Sequence, residues 1–172
     1  SPEGCFRAIP VDSCAISRRE ISDFLPQLKQ QAEAKLPLKY RVANLVIRCA
    51  EDVTLRWGGI GRRSLKLKEE EYLWTHIEGR KIFYSLNTFF QANLSILPKV
   101  IQRIKSFHLW DREAVLFDLY GGVGFFGLCL GDGVKKVILI EESIHAVRLA
   151  RFNANHHQLK NFEIHHSKVE RR

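Results

Sequence analysis

At 172 residues the chain has room for one moderate domain or two small ones, each able to bury a core. Its 45% hydrophobic and 27% charged content is ordinary for a soluble globular protein. No apolar run approaches the roughly 18 to 20 residues that span a bilayer, and the N-terminus, SPEGCFRAIP, lacks a signal peptide's apolar segment, so a cytoplasmic protein is expected.

Twenty-seven Lys and Arg against nineteen Asp and Glu give a formal charge of +8 and a pI near 9.5. That balance suits a polyanionic partner such as RNA, or simply a basic surface. Cys5, Cys14, Cys49 and Cys129 are scattered without CxxC pairing, which implies neither a disulfide framework nor a metal site. Methionine is absent, as suits a piece cut from a longer chain.

Ser1 to Ile16 reads as extended, turn-rich chain. A helix is expected from Ser17, which can cap it with Glu20 three residues on; Ile21, Phe24, Leu25, Leu28 and Ala32 share one face, and Pro26 threatens a kink. Arg41 to Cys49 and Val53 to Trp57 read as two strands around a turn at Glu51 and Asp52. Arg56, Arg62, Arg63, Lys66 and Lys68 then cluster around Gly58, Gly59 and Gly61, a pattern that tracks a phosphate backbone or merely marks a solvated face.

Lys81 to Ser85 is a short strand. It leads through Asn87 to Gln91 (NTFFQ) into a helix over Ala92 to Phe107, which Pro98 either starts or bends. The two aromatics and the amide of NTFFQ suit packing and capping, or the stacking and hydrogen bonding of a flat heterocycle.

Ala114 to Glu142 (AVLFDLYGGVGFFGLCLGDGVKKVILIEE) spells strand, glycine loop, helix, strand and acid. Ser143 can cap a helix to about Asn155, and Asn161 to His165 is a third strand. A domain boundary near Ser106 to Glu113 is expected, giving a mixed α/β module over 1–108 and the start of a parallel α/β sheet over 109–172.

Gly122, Gly124 and Gly127 spell GxGxxG, with Glu141 roughly 20 residues on, the spacing of an NAD or FAD fingerprint. Asp118 at the strand end and Phe125 and Phe126 at the helix start argue otherwise. An acid repels pyrophosphate, and bulky rings crowd the amides it needs. S-adenosylmethionine, with a sulfonium, a ribose and no phosphate, fits an acid-bearing loop followed by Glu141 better.

FFQAN at Phe89 to Asn93, FDLYGGVGFFGL at Phe117 to Leu128, IEES at Ile140 to Ser143 and AVRLARFNANHHQLKNF at Ala146 to Phe162 resemble the tRNA and rRNA (uracil-5-)methyltransferase family. VDSCAISRREI at Val11 to Ile21 is similar to the opening of that family's central domain. The resemblance implies a small mixed α/β module followed by a truncated Rossmann-like S-adenosylmethionine-dependent methyltransferase unit, acting on uracil carbon 5 in rRNA or tRNA.

The resemblance also implies that Gln91 contacts the methionine portion of the cofactor, that Tyr120 and the Gly121 to Gly124 backbone, including Gly122, form its loop, and that Glu141 binds the ribose hydroxyls. Cys14 matches the last ligand of an iron-sulfur cluster in one branch of the family; one cysteine cannot hold a cluster, so ligation is expected at most in a longer protein. Gly121 stands where the family usually has cysteine, and Ser167 and Lys168 where it tends to carry Asp or Asn near the adenine.

The family's nucleophilic cysteine motif and its later glutamate base do not occur in these residues, and Cys129 reads as a core thiol, so no catalytic residue is assigned. A first strand that normally lies centrally is left with an open apolar edge, so self-association through it is expected. The alternatives are an NAD or FAD oxidoreductase and a non-catalytic RNA-binding module using the Arg56 to Lys68 region.

Overall fold

The computed structural model describes residues 11–35, 44–59, 72–108 and 111–171. Cys5 and most of the basic cluster, Arg62, Arg63, Lys66 and Lys68, lie outside them. The chain forms two compact units, Ser1–Lys68 and Glu69–Arg172. The division falls well ahead of the boundary expected near residue 108, because the segments just before that point pack with the sheet that follows it.

In the first unit, helix α1 (Arg19–Lys35) turns Leu28 and Ala32 inward, with Ile21, Phe24 and Leu25 half-buried on the same face. Pro26 sits inside the helix with its ring exposed. The expected Ser17 cap does not form: its hydroxyl donates to the carbonyls of Cys14 and Arg18, and Glu20 pairs with the Arg18 guanidinium at 2.9 Å. Strands β1 (Leu45–Cys49) and β2 (Leu55–Gly59) pair antiparallel from Leu45↔Gly59 to Cys49↔Leu55. Asp52 stabilises the turn by accepting the Thr54 amide at 3.1 Å.

The second unit begins with a hairpin of β3 (Leu73–Ile77) and β4 (Arg80–Tyr84). The sequence reading placed only the second of these strands, over Lys81 to Ser85. Glu78 and Gly79 both take positive φ, 51° and 76°, as a two-residue hairpin turn requires. Leu73, Thr75 and Ile77 alternate inward along β3. The expected helix over Ala92 to Phe107 is a 3₁₀ turn at Leu94–Ile96 followed by α2 (Leu97–Lys105), with Pro98 in its first turn where the missing N–H costs nothing.

A three-stranded parallel sheet, ordered β5-β6-β7, follows: β5 (Val115–Leu119), β6 (Lys136–Glu141) and β7 (Phe162–His166), joined through α3 (Phe125–Leu130) and α4 (Ile144–His156). Ser143 caps α4 as expected, its hydroxyl accepting the Ala146 amide at 3.4 Å. Helix α3 packs on α2, β4 and β5, and α4 on β4, β6 and β7. Leu128, Val137, Leu139, Val147 and Leu149 are at most 2% exposed; each contributes roughly 1.5 to 3 kcal/mol by burial. Cys129 belongs to this core. Its thiol meets the Ile77 carbonyl, and burial pushes its pKa up to about 12.

Candidate cofactor site

The loop between β5 and α3 is held from three sides. Asp118, 6% exposed at the end of β5, accepts the Gly127 amide at 2.9 Å and so pins the first turn of α3 to the strand. Burial pushes the Asp118 carboxyl up to about 6 against the pull of that hydrogen bond, and the Glu141 charge adds to the rise.

Glu141, at the end of β6, accepts the Gly122 amide at 3.0 Å on one oxygen and the Ser143 amide at 2.7 Å on the other. One carboxylate thereby fixes both the glycine loop and the start of α4, with lone pairs to spare on each oxygen. Gly124, at φ 88°, caps α3 in the left-handed region that glycine adopts most readily.

Gly121 is small for a different reason. A Cβ there would lie 2.6 Å from Leu139 Cγ and 3.0 Å from the Asp118 carbonyl oxygen. A larger side chain at this position does not fit unless Leu139 moves and the Asp118 carbonyl gives way, so in this chain Gly121 and Leu139 have to be considered together.

Tyr120 is a non-glycine residue at φ 55°, a conformation that is costly for it. Its ring is 66% exposed rather than packed, and its hydroxyl donates to Glu170 at 2.9 Å. Of the two NTFFQ aromatics, Phe90 is buried, stacked on Tyr84 at 4.4 Å and edge-on to Phe125. Phe89 is 73% exposed, and its carbonyl comes within 3.9 Å of where a Gly122 Cβ would sit.

Phe90 therefore anchors the segment in the core, while the Phe89 side chain is exposed and its backbone borders the loop. Gln91 is half-buried, without a hydrogen-bond partner among the described residues, while capping falls to Asn93, which accepts the Ser95 amide at 3.2 Å. Gln91, Gly122, Gly124 and Glu141 thus lie on segments that meet at one loop. Ser167 donates its amide to the Glu141 carbonyl at 3.0 Å, and Lys168 pairs with Glu142 at 3.3 Å.

Sequence reasoning did not single out Asn153. It lies inside α4, where asparagine is a poor helix former, and that misfit was the signal available. It is fully buried.

Among the described residues no helix is long and apolar enough to cross a membrane, and no three His, Cys, Asp or Glu side chains group as a metal site.

A parallel sheet with a glycine loop after its first strand and a carboxylate at the end of its second is the arrangement of a Rossmann-like α/β unit. The sequence model of the family described as tRNA (uracil-5-)methyltransferase matches residues 53–171, most of the chain, and the chain belongs to that family. It is 30% identical over 94 residues to the 23S rRNA (uracil(1939)-C(5))-methyltransferase of Aliivibrio fischeri, a match covering 55% of this chain and 22% of that protein. It is 33% identical over 93 residues to the tRNA (uracil(54)-C(5))-methyltransferase of Saccharomyces cerevisiae, covering 50% and 14%.

Among solved structures it resembles the Pyrococcus abyssi tRNA (uracil-54, C5)-methyltransferase in complex with S-adenosyl-L-homocysteine, with a TM-score of 0.70 at 15% identity, over 93% of this chain and 50% of that one. The likeness shows a Rossmann-like methyltransferase fold. The matched stretch spans only about a fifth of the curated relatives' length.

Proposed function

We propose that the Glu69–Arg172 unit holds S-adenosylmethionine in a cytoplasmic RNA uracil-5-methyltransferase acting on tRNA or rRNA. The observation that carries this reading is the Glu141 carboxylate bound to the Gly122 amide. The loop amide already serves an acid, and a second acid, Asp118, lies buried behind it. An anionic pyrophosphate would have to displace one carboxylate and approach another, whereas a cationic, ribose-bearing ligand meets favourable charge. This disfavours the NAD or FAD alternative.

When bound, S-adenosylmethionine supplies a methyl group on a sulfonium. Glu141 has free lone pairs for ribose hydroxyls, Gln91 offers an unused amide to the methionine portion, and the backbone from Tyr120 to Gly124 forms the cradle. Phe89, whose backbone borders the loop, carries an exposed ring suited to stacking on a base.

Carbon 5 of uracil becomes nucleophilic only after a thiolate adds at carbon 6. Cys129 is a core thiol, and burial raises the pKa of Cys49. Cys14 belongs to the other unit; its pKa is lowered by hydrogen bonding to the Ile16 backbone and the Ser17 side chain, neither of them a base. This chain alone is therefore expected to leave unmodified tRNA and rRNA unmethylated in a transfer assay with labelled S-adenosylmethionine. Robust transfer would contradict that assignment. The RNA-binding alternative rests on a basic run of which Arg56 alone is described, and salt-sensitive RNA binding without cofactor affinity would favour it.

Self-association through β5 is part of the same reading. Among the described residues β5 pairs only with β6, and Val115, Phe117 and Leu119 on one of its faces are 43%, 58% and 47% exposed. Two copies paired antiparallel about Phe117 would set Val115 against Leu119 in both directions, burying a self-complementary apolar row. Light scattering at tens of micromolar is expected to show a dimer for the unaltered chain and a monomer for Phe117→Lys. A clean monomer for both would overturn it.

A further inference from the structure

In the two-residue hairpin of β3 and β4, alternate residues of β4 turn their backbone groups away from β3. Lys81 and Phe83 are those residues, opposite His76 and Trp74. Helix α4 meets three of their four backbone groups in place of a third strand. Asn153 Oδ1 accepts the Phe83 amide at 2.9 Å, Asn153 Nδ2 donates to the Phe83 carbonyl at 3.0 Å, and His157 Nε2 lies 2.8 Å from the Lys81 carbonyl.

The fit is geometric: side chains four apart on a helix repeat at about 6 Å, and residues two apart on a strand at about 6.8 Å. Asn153 has one amide proton left, and it donates to the Val123 carbonyl, at 3.0 Å, inside the glycine loop.

We infer that Asn153 is a positioning residue that holds the glycine loop and the Gln91 segment at a fixed separation. The inference rests on the reading of this loop as the cofactor site. Three cofactor-facing pieces converge on it: β4 leads to Phe89 and Gln91, Val123 lies between Gly122 and Gly124, and α4 starts beside Glu141. All three of its bonds are short, and its side chain is inaccessible to water. Losing its donor strands the Val123 carbonyl away from solvent and lets the loop drift from the hairpin.

The test is amide hydrogen exchange in the unliganded chain, with S-adenosylhomocysteine affinity measured beside it. Asn153→Asp keeps an acceptor for Phe83 but loses both donations. Asn161→Ala serves as control, because Asn161 likewise donates to two carbonyls, Gly131 and Val134, away from the loop. Asn153→Asp is expected to speed exchange at Gly122 and Gly124 at least tenfold over the control at matched global stability, and to weaken S-adenosylhomocysteine at least tenfold.

Unchanged loop exchange relative to the control would overturn the inference. Failure of the unaltered chain to bind S-adenosylhomocysteine would instead overturn the cofactor reading and leave the exchange comparison decisive for Asn153. Should Asn153→Asp not fold, native-state exchange in the unaltered chain decides. The Phe83 and Gly124 amides are expected to open together as denaturant is raised, and independent opening would contradict the clamp.

Discussion

Replacing Glu141 by glutamine is expected to weaken S-adenosylhomocysteine binding about a hundredfold while leaving the chain folded. The carboxylate accepts two backbone amides, from Gly122 and Ser143, one on each oxygen. Glutamine offers one oxygen and one NH₂, so one of those amides must face a donor, and an acceptor for the ribose hydroxyls is lost. Hydrogen bonds to a charged group contribute about 1.5 to 3 kcal/mol each, and a loss of about 2.7 kcal/mol is a hundredfold in affinity. Calorimetric titration of both chains checks it, with circular dichroism to confirm folding. Equal affinities would remove Glu141 from the site.

The second large effect is on stability and depends on pH. Burial disfavours the ionised form of Asp118, so the folded chain keeps that proton up to about 6, above the ordinary 3.8 of an exposed aspartate. The stabilisation is fully present below the unfolded carboxyl's range and is lost as pH rises through about 6. The difference corresponds to about 3 kcal/mol at about 1.36 kcal/mol per pH unit.

Asp118→Asn retains an acceptor for the Gly127 amide without the charge. Its stability is therefore expected to gain on the unaltered chain by about 3 kcal/mol between about pH 4 and about pH 7, measured by urea unfolding. Parallel pH profiles for the two chains would show that the carboxyl titrates as if exposed.

The glycine-loop unit was legible because its signals are local. Asp118, the glycines, Glu141 and the Ser143 cap stand at fixed short spacings; Asp118 orders the loop by accepting a backbone amide and Ser143 caps its helix, as their places in the chain suggested. Pro98 likewise marked the true start of α2, and the apolar face of α1 held despite Pro26.

What the sequence hid depends on distant partners. Strand β3 begins two residues after the acidic run Glu69–Glu71, and its alternation is blurred because Trp74 and His76 occupy the outer face of the hairpin. Nothing local to residues 106–113 shows that elements on either side of them pack together: β4 and α4 are joined by a side chain seventy residues away, Asn153 on Phe83. Ser17 looked like a cap, yet Arg18 takes Glu20 for itself and the hydroxyl turns back to Cys14. At the loop, the composition of NTFFQ did not say which ring packs. Only the fold separates Phe90, stacked on Tyr84, from Phe89, whose ring is exposed.

The central claim is that the loop between Asp118 and Phe125 receives a cationic nucleoside and not a dinucleotide. Isothermal titration of the chain with S-adenosylhomocysteine, S-adenosylmethionine and NAD tests it most directly. Binding of the first two with dissociation constants on the order of micromolar, and none of NAD, is the expected result. Binding of NAD with no response to either sulfur nucleoside would contradict it.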